Sequence, residues 1–250
     1  TYSGVHVSNG VFDPALRPVA DDSSYDLLGL FAQYKWRPLE RFEISGGLRY
    51  SRANAKWERN NVEILPGVNQ DLPGDGSWDD LSFSLRGLVD VTEELSLFGG
   101  VSQAFRAPNL NDLTGQTFSL NGLSSSGSVE LDPEKFWLTE LGVRWEGESL
   151  FASFSGYYTI MDGQIVAVDD GFGALSSVNG ADGHVYGLEF DANWRINRSW
   201  SGRFWAAWQD GRTEQPLVLG GPLSQDLPRR LHPIMGGLSL RWQDPDRPYW

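Results

Sequence analysis

The 250-residue sequence contains no cysteine. A disulfide framework and a thiolate metal site are therefore excluded, and the redox compartment is only weakly constrained. Cations are scarce too, with 20 Lys and Arg against 33 Asp and Glu and a formal net charge of −13. Nucleic-acid binding rests on clustered Lys and Arg, so nucleic acid is discarded as a partner. No apolar run, such as LLGLFA from Leu27, approaches the roughly 20 residues that cross a bilayer as a helix. Residues 1–10, TYSGVHVSNG, lack the basic start and apolar core of a secretory signal. The expectation is that a leader was removed or that the chain begins inside a longer protein.

Catalytic signatures are missing as well. There is no HExxH, GxSxG or Walker loop, and the carboxylates are dispersed, so no enzyme, catalytic residue or cofactor is expected. No metal site is expected either: His6, His184 and His232 are scattered. DLPGDG at Asp71 and DDG at Asp169 read as solvated turns rather than Ca loops, because Pro73 replaces an oxygen ligand of the EF-hand pattern.

What the sequence does have is 29 Gly, 11 Trp and 40% hydrophobic residues, which point to an ordered all-β chain with helix as a minor component. Period-two alternation recurs in nine segments. Their apolar sets run Leu28 to Trp36, Phe42 to Tyr50, Leu81 to Val89, Leu95 to Val101, Trp137 to Trp145, Leu150 to Ile160, Tyr186 to Trp194, Trp200 to Trp208 and Ile234 to Trp242. Charges fall on the opposite set, as with Glu43 and Arg49, Arg86, Glu140 and Arg144, Glu189 and Asp191, and Arg203.

Connections alternate in length. Short ones such as RPLE after Trp36, VTEE after Asp90 and INRS after Arg195 fit hairpin turns. Long ones run from about Arg52 to Ser77, Gln103 to Pro133, Met161 to Gly183 and Asp210 to Leu231, and they carry turn and loop chemistry. Strands of about 10 to 14 residues, one apolar face, and long loops all on one side are the pattern of an outer-membrane β-barrel. Tyr34, Trp36, Tyr50, Trp137, Trp145, Trp194, Trp200, Trp208 and Trp242 then form interfacial girdles on the lipid face. The alternatives are a soluble β-sandwich binding module and a propeller. The propeller fits less well, because its blades need about four strands per 40 to 45 residues.

FRAPNL, Phe105 to Leu110, ends the strand LFGGVSQA. With LDPEKFWLTELGVRW (131–145), VNGADGHVYGLEFDANW (178–194) and LPRRLHPIMGGLSLRW (227–242), it resembles the C-terminal barrel of TonB-dependent outer-membrane receptors. The resemblance implies a 22-stranded barrel around a plug, located in the outer membrane and in contact with its lipid. It implies active uptake of a scarce small-molecule ligand, such as an iron–siderophore complex, driven by a TonB-type inner-membrane complex through the plug. Residues 1–250 would be one part of a single barrel domain, an antiparallel fragment of about nine strands without the plug, completed by the remaining strands. A passive porin-like channel is the alternative within membranes.

Candidate ligand-binding or plug-facing residues are Gln103, Phe105, Arg106, Asn109, Glu140 and Arg144. Alternation from Ser96 places Arg106 on the lumen side, where a guanidinium can clamp a carboxylate or an anionic chelate. Pairing with a plug or loop carboxylate is the reading favoured for it. Pro108 fits the point where strand pairing stops. The loop Asn109 to Asp132 contains no histidine, which the resemblance associates with haem uptake.

Overall fold

The computed structural model describes residues 6–8, 11–13, 19–20, 22–65, 68–118, 124–171, 174–226, 228, 231–232 and 234–244. A small hairpin, β1 (His6–Ser8) and β2 (Val11–Asp13), stands apart from the main sheet. The wall follows: β3 (Ser24–Leu39), β4 (Phe42–Leu65), β5 (Val68–Asp90) and β6 (Leu95–Arg106). Helix α1 (Leu110–Thr114) and the short strands β7 (Gln116–Phe118) and β8 (Ser124–Ser126) come next. Then the wall resumes with β9 (Glu134–Glu146), β10 (Leu150–Asp169), β11 (Leu175–Arg195) and β12 (Trp200–Pro216), and closes with β13 (Leu223–Asp226) and β14 (Ile234–Trp242).

From β3 to β12 each wall strand pairs antiparallel with the next wall strand, β6 with β9 included. The far side of β12 is shared, β13 lying along Thr213–Pro216 and β14 along Trp200–Trp208. All nine alternating segments lie in wall strands, and the sheet is open, with β3 at one edge and β13 and β14 at the other.

Burial decides which solvent this wall meets. Leu30, Leu48, Leu81, Leu141 and Leu238 are 51–71% exposed together with Leu85, all on one continuous face. Among the described residues no second sheet covers them. A soluble sandwich would bury such a face, and an apolar patch this extended belongs in lipid. Trp145, Trp194, Trp200 and Trp242 mark its lower margin, and Trp137, Tyr158, Tyr186 and Trp208 its upper margin. Trp137 and Trp145, Tyr186 and Trp194, and Trp200 and Trp208 are each eight residues apart. Eight residues at about 3.4 Å each, tilted by about 40°, rise about 21 Å, close to the apolar band of about 25 Å.

The expected loops are largely strand instead. β4 and β5 run on to Leu65 and from Val68, β10 reaches Asp169, β11 starts at Leu175, and β12 reaches Pro216. Polar Gly- and Asp-rich sequence pairs perfectly well once it is above the membrane, because the ladder needs only backbone groups. Asp71–Gly76, expected as a turn, is thus part of β5 and opposite Asn61 to Ala55. The upper aromatics accordingly sit inside strands rather than at strand ends, and beyond them the outward positions turn polar with Asp162, Asp182, Asp210, Arg212 and Glu214. The stretch around 107–133 is the connection that leaves the wall and contains the helix.

Inward bulk is kept flat against the wall by glycine. Trp205 is opposite Gly237, and a Cβ there would stand 2.5 Å from the indole Nε1. Phe98 lies over Gly142 in the same manner.

The facing of each strand makes a direct prediction for the intact protein in lipid. Leu48→Arg or Phe190→Arg should lower unfolding stability by roughly 2–4 kcal/mol, the cost of a midplane charge in lipid. Ser84→Arg, facing the lumen, should unfold close to wild type in the same urea titration.

Candidate functional site

The inward side of the extracellular end is built around one ion cluster. The β6–β9 register makes Arg106 and Glu134 direct partners at the last rung of that ladder. Arg106 Nε and Nη2 donate to Glu134, the latter at 2.7 Å, and Nη1 donates to Asp112 Oδ2 at 2.9 Å. Glu134, buried, also accepts from the backbone N–H of Ile165 on β10 at 2.7 Å. A forked guanidinium on a buried carboxylate fixes angle as well as distance, so three elements are locked at one point.

Asp112 belongs to α1, and Asn109 is its N-cap. Asn109 Oδ1 accepts from the backbone N–H of Asn111 at 2.8 Å and of Asp112 at 3.0 Å. Asp112 Oδ2 returns the bond to Asn109 N–H, completing a capping box that starts the helix without a preceding turn. Helix and loop then fold against the wall. Leu113 and Leu131 pack with Ala20, Ala55 and Trp57, flanked by Tyr25, Trp78, Leu110 and Ile165. Tyr25 O–H donates to Pro108 O at 3.1 Å, Trp78 Nε1–H to Leu131 O at 3.0 Å, and Ala20 N–H to Thr114 Oγ1 at 3.0 Å. The loop's return is pinned by Asn179, whose amide accepts from Asp132 N–H at 2.7 Å and donates to Asp132 O and Gly163 O at 2.8 Å each.

Lower in the lumen the wall carries paired charges. Lys35 lies 2.7 Å from Glu43, Arg86 Nη2 donates to Glu140 at 3.3 Å, and Arg203 Nη2 to Asp191 at 2.8 Å. Arg144 Nε is buried without a hydrogen bond among the described residues and lies 3.5 Å from Glu146 Oε1. With Ser45, Phe98 and Ser153, the residues Lys35, Glu43, Arg86, Glu140 and Arg144 line a concavity of about 480 Å³.

The candidates therefore separate. Arg106 and Asn109 meet in the rim cluster, and Glu140 and Arg144 share the lower concavity. Gln103 and Phe105 do not join either group: Gln103 stands opposite Trp137 and Phe105 opposite Lys135, on the outward side of β6. The two-residue period explains the correction, since an inward Arg106 turns its odd-numbered neighbours outward. Glu134, Asp112, Trp78 and Asn179 carry the rim and were not singled out from sequence. The N-x-x-D spacing from Asn109 to Asp112 was the one readable signal.

A model of the TonB-dependent receptor-like β-barrel matches residues 2–250. The chain belongs to that family. Such barrels are outer-membrane proteins, in agreement with the apolar outward face. The pesticin receptor of Yersinia enterocolitica is 24% identical over 198 residues, covering 77% of this chain and 28% of that receptor. The chain thus spans less than a third of the length of that relative. Among solved structures, the copper transporter OprC superposes with a TM-score of 0.72 at 21% identity, over 90% of this chain and 33% of that one. The ferric yersiniabactin uptake receptor FyuA from Yersinia pestis gives 0.63 at 18% identity, over 87% and 31%. At these identities the structures share the fold.

The rim cluster sets an expectation for the full-length receptor. Arg106→Ala leaves Glu134 buried beside a lost cation; because Arg106 is 41% exposed, the loss should be about 2 kcal/mol, below the 3–5 of a fully buried pair. Limited proteolysis on intact cells should then cut within 107–133 while the barrel keeps its heat-resistant mobility in gels.

Proposed function

We propose that this chain is the C-terminal part of the barrel of an active outer-membrane transporter that takes up a scarce ligand, such as an iron–siderophore complex. Energy would come from a TonB-type inner-membrane complex acting through a plug domain. The observation that carries the reading is the family match across residues 2–250, on a wall whose outward face is apolar and whose lumen is charged. The likeness to FyuA, a ferric yersiniabactin uptake receptor, supports an iron chelate as cargo.

The lower concavity supports a plug as its occupant. Glu140 and Arg144 are already half-compensated there, so a folded domain with a few complementary charges can seat on them without stranding an ion. The nine strands would be one part of a single barrel completed by the remaining strands, which cover the two open edges.

The test is uptake of radio-iron chelates by cells that carry the intact receptor. Uptake should stop when the receptor gene is deleted, and equally when a protonophore collapses the inner-membrane gradient. Uptake that continues unchanged in de-energised cells would instead establish a passive channel.

A further inference from the structure

On the outward side of the wall, at the upper margin of the lipid face, three rings of β10 and β11 form one row. Tyr158 and His184 stack with centroids 5.6 Å apart and planes 13° from parallel, and His184 and Tyr186 stack at 6.2 Å and 18°. Trp208 of β12 meets Tyr186 edge-on at 5.8 Å and holds the end of the row. The stacked Tyr158 and His184 border a cavity of about 890 Å³ whose lower side is Trp137 and Ile160, partners across the β9–β10 ladder. That volume falls within the roughly 300–1,000 Å³ of small-molecule sites.

Above the rings the outward positions Asp162, Asp182, Arg212 and Glu214 line the same cavity. Gly163 N–H donates to Asp182 Oδ1 at 2.8 Å, and Gln225 Nε2 donates to Glu214 Oε1 at 3.0 Å. Each carboxylate thus keeps its second oxygen as an acceptor. Asp162 and Arg212 make no hydrogen bond or ion pair with another described residue.

Ring faces beside carboxylates and a guanidinium suit a sugar. Its C–H faces lie on aromatic planes, its hydroxyls donate to carboxylates, and its own oxygens accept from arginine. A bare phosphate brings acceptors only and makes no use of Asp162, Asp182 and Glu214. The lower side of the cavity argues for a lipid-borne sugar. Trp137 and Ile160 belong to the lipid-facing set, so the apolar part of an occupant runs on into the membrane, as the chains of a glycolipid do.

We propose that this outward cavity binds the sugar headgroup of an outer-leaflet glycolipid. Tyr158, His184 and Tyr186 are its platform, Asp162, Asp182 and Glu214 accept from its hydroxyls, and Arg212 donates to its oxygens. The site lies on the opposite face of the wall from the lumen, so it stands apart from whatever the barrel transports.

The experiment uses the full-length protein, purified in a polyoxyethylene detergent that brings no sugar and titrated in native mass spectrometry. The probes are a diglucosyl diacylglycerol, phosphatidylglycerol with the same chains, and the free disaccharide. The glycolipid should bind roughly ten-fold or more tighter than phosphatidylglycerol, and the disaccharide far more weakly, because it leaves the apolar side unfilled. Tyr158→Leu with Tyr186→Leu keeps the face apolar and should weaken the glycolipid about ten-fold without changing phosphatidylglycerol. Asp162→Ala, at an exposed position, should also cost about ten-fold, the loss of a hydrogen bond to a charged group. Trp200→Leu at the lower margin should bind the glycolipid as wild type does. Phosphatidylglycerol bound as tightly as the glycolipid, or a free disaccharide matching it, overturns the site. So does glycolipid binding that is indifferent to both upper variants, or weakened equally by Trp200→Leu.

Discussion

Lipid offers no partner to a backbone N–H or C=O, and the whole arrangement follows from that constraint. Between the two aromatic rows the wall strands pair without a break in register, and the irregular steps occur outside the band, near Met161 and Gln164 on β10 and between Trp57 and Asn60 on β4. At the level of the upper row the ladder opens at one place: β5 and β6 stop pairing at Ser84 and Ser102, one rung below Trp137, although β6 continues to Arg106. Side chains take over there, with Trp78, Tyr25 and Glu134 supplying bonds that a neighbouring strand would otherwise make.

The rim cluster is the consequence of a register set far below it. Arg106 and Glu134 meet because β6 and β9 pair in one unbroken register from Leu95 and Trp145 upward. The loop between them is closed at its base by a forked ion pair, and the capping box at Asn109–Asp112 sits directly beside it. Pro108 suits its fully buried place because it brings no N–H to be satisfied, while its carbonyl still accepts from Tyr25. Ordering this long connection against Ala55 and Trp57 offsets part of its closure entropy with apolar burial.

Much of this was legible in the sequence, because membrane strands obey a strict period. The facing of Leu48, Phe190 and Arg203 follows from alternation alone, and the turns after Trp36 and Asp90 from their length. Strand ends above the membrane were not legible. There the outward positions become polar, as at Asp162 and Glu214, and alternation loses its contrast while the backbone ladder continues. Glu134 was unreadable for another reason: its role depends on Ile165, thirty-one positions away, and on a register that no local pattern displays. Gln103 and Phe105 adjoin Arg106 in sequence, yet the two-residue period turns them to the other side of β6.

β12 shows how one strand carries two gradients at once. Its outward set passes from Trp200, Phe204 and Trp208 to Asp210, Arg212 and Glu214, which is the edge of the membrane. Its inward set passes from Arg203 through Trp205 to Gln209, Thr213 and Gln215, a change from charged to uncharged side chains along the inward positions of this strand. The two transitions lie within a few residues of each other but are encoded by alternate positions, so each can change without the other. A slip of one residue would exchange them, turning Arg203 into lipid at a cost of up to roughly 2–4 kcal/mol and moving Phe204 into the lumen. Gly202 and Gly237 add to the same specification, since each accommodates one indole, Trp194 outside and Trp205 inside, in a single register. The lumen therefore keeps its shape for the same reason that the wall keeps its place in the membrane.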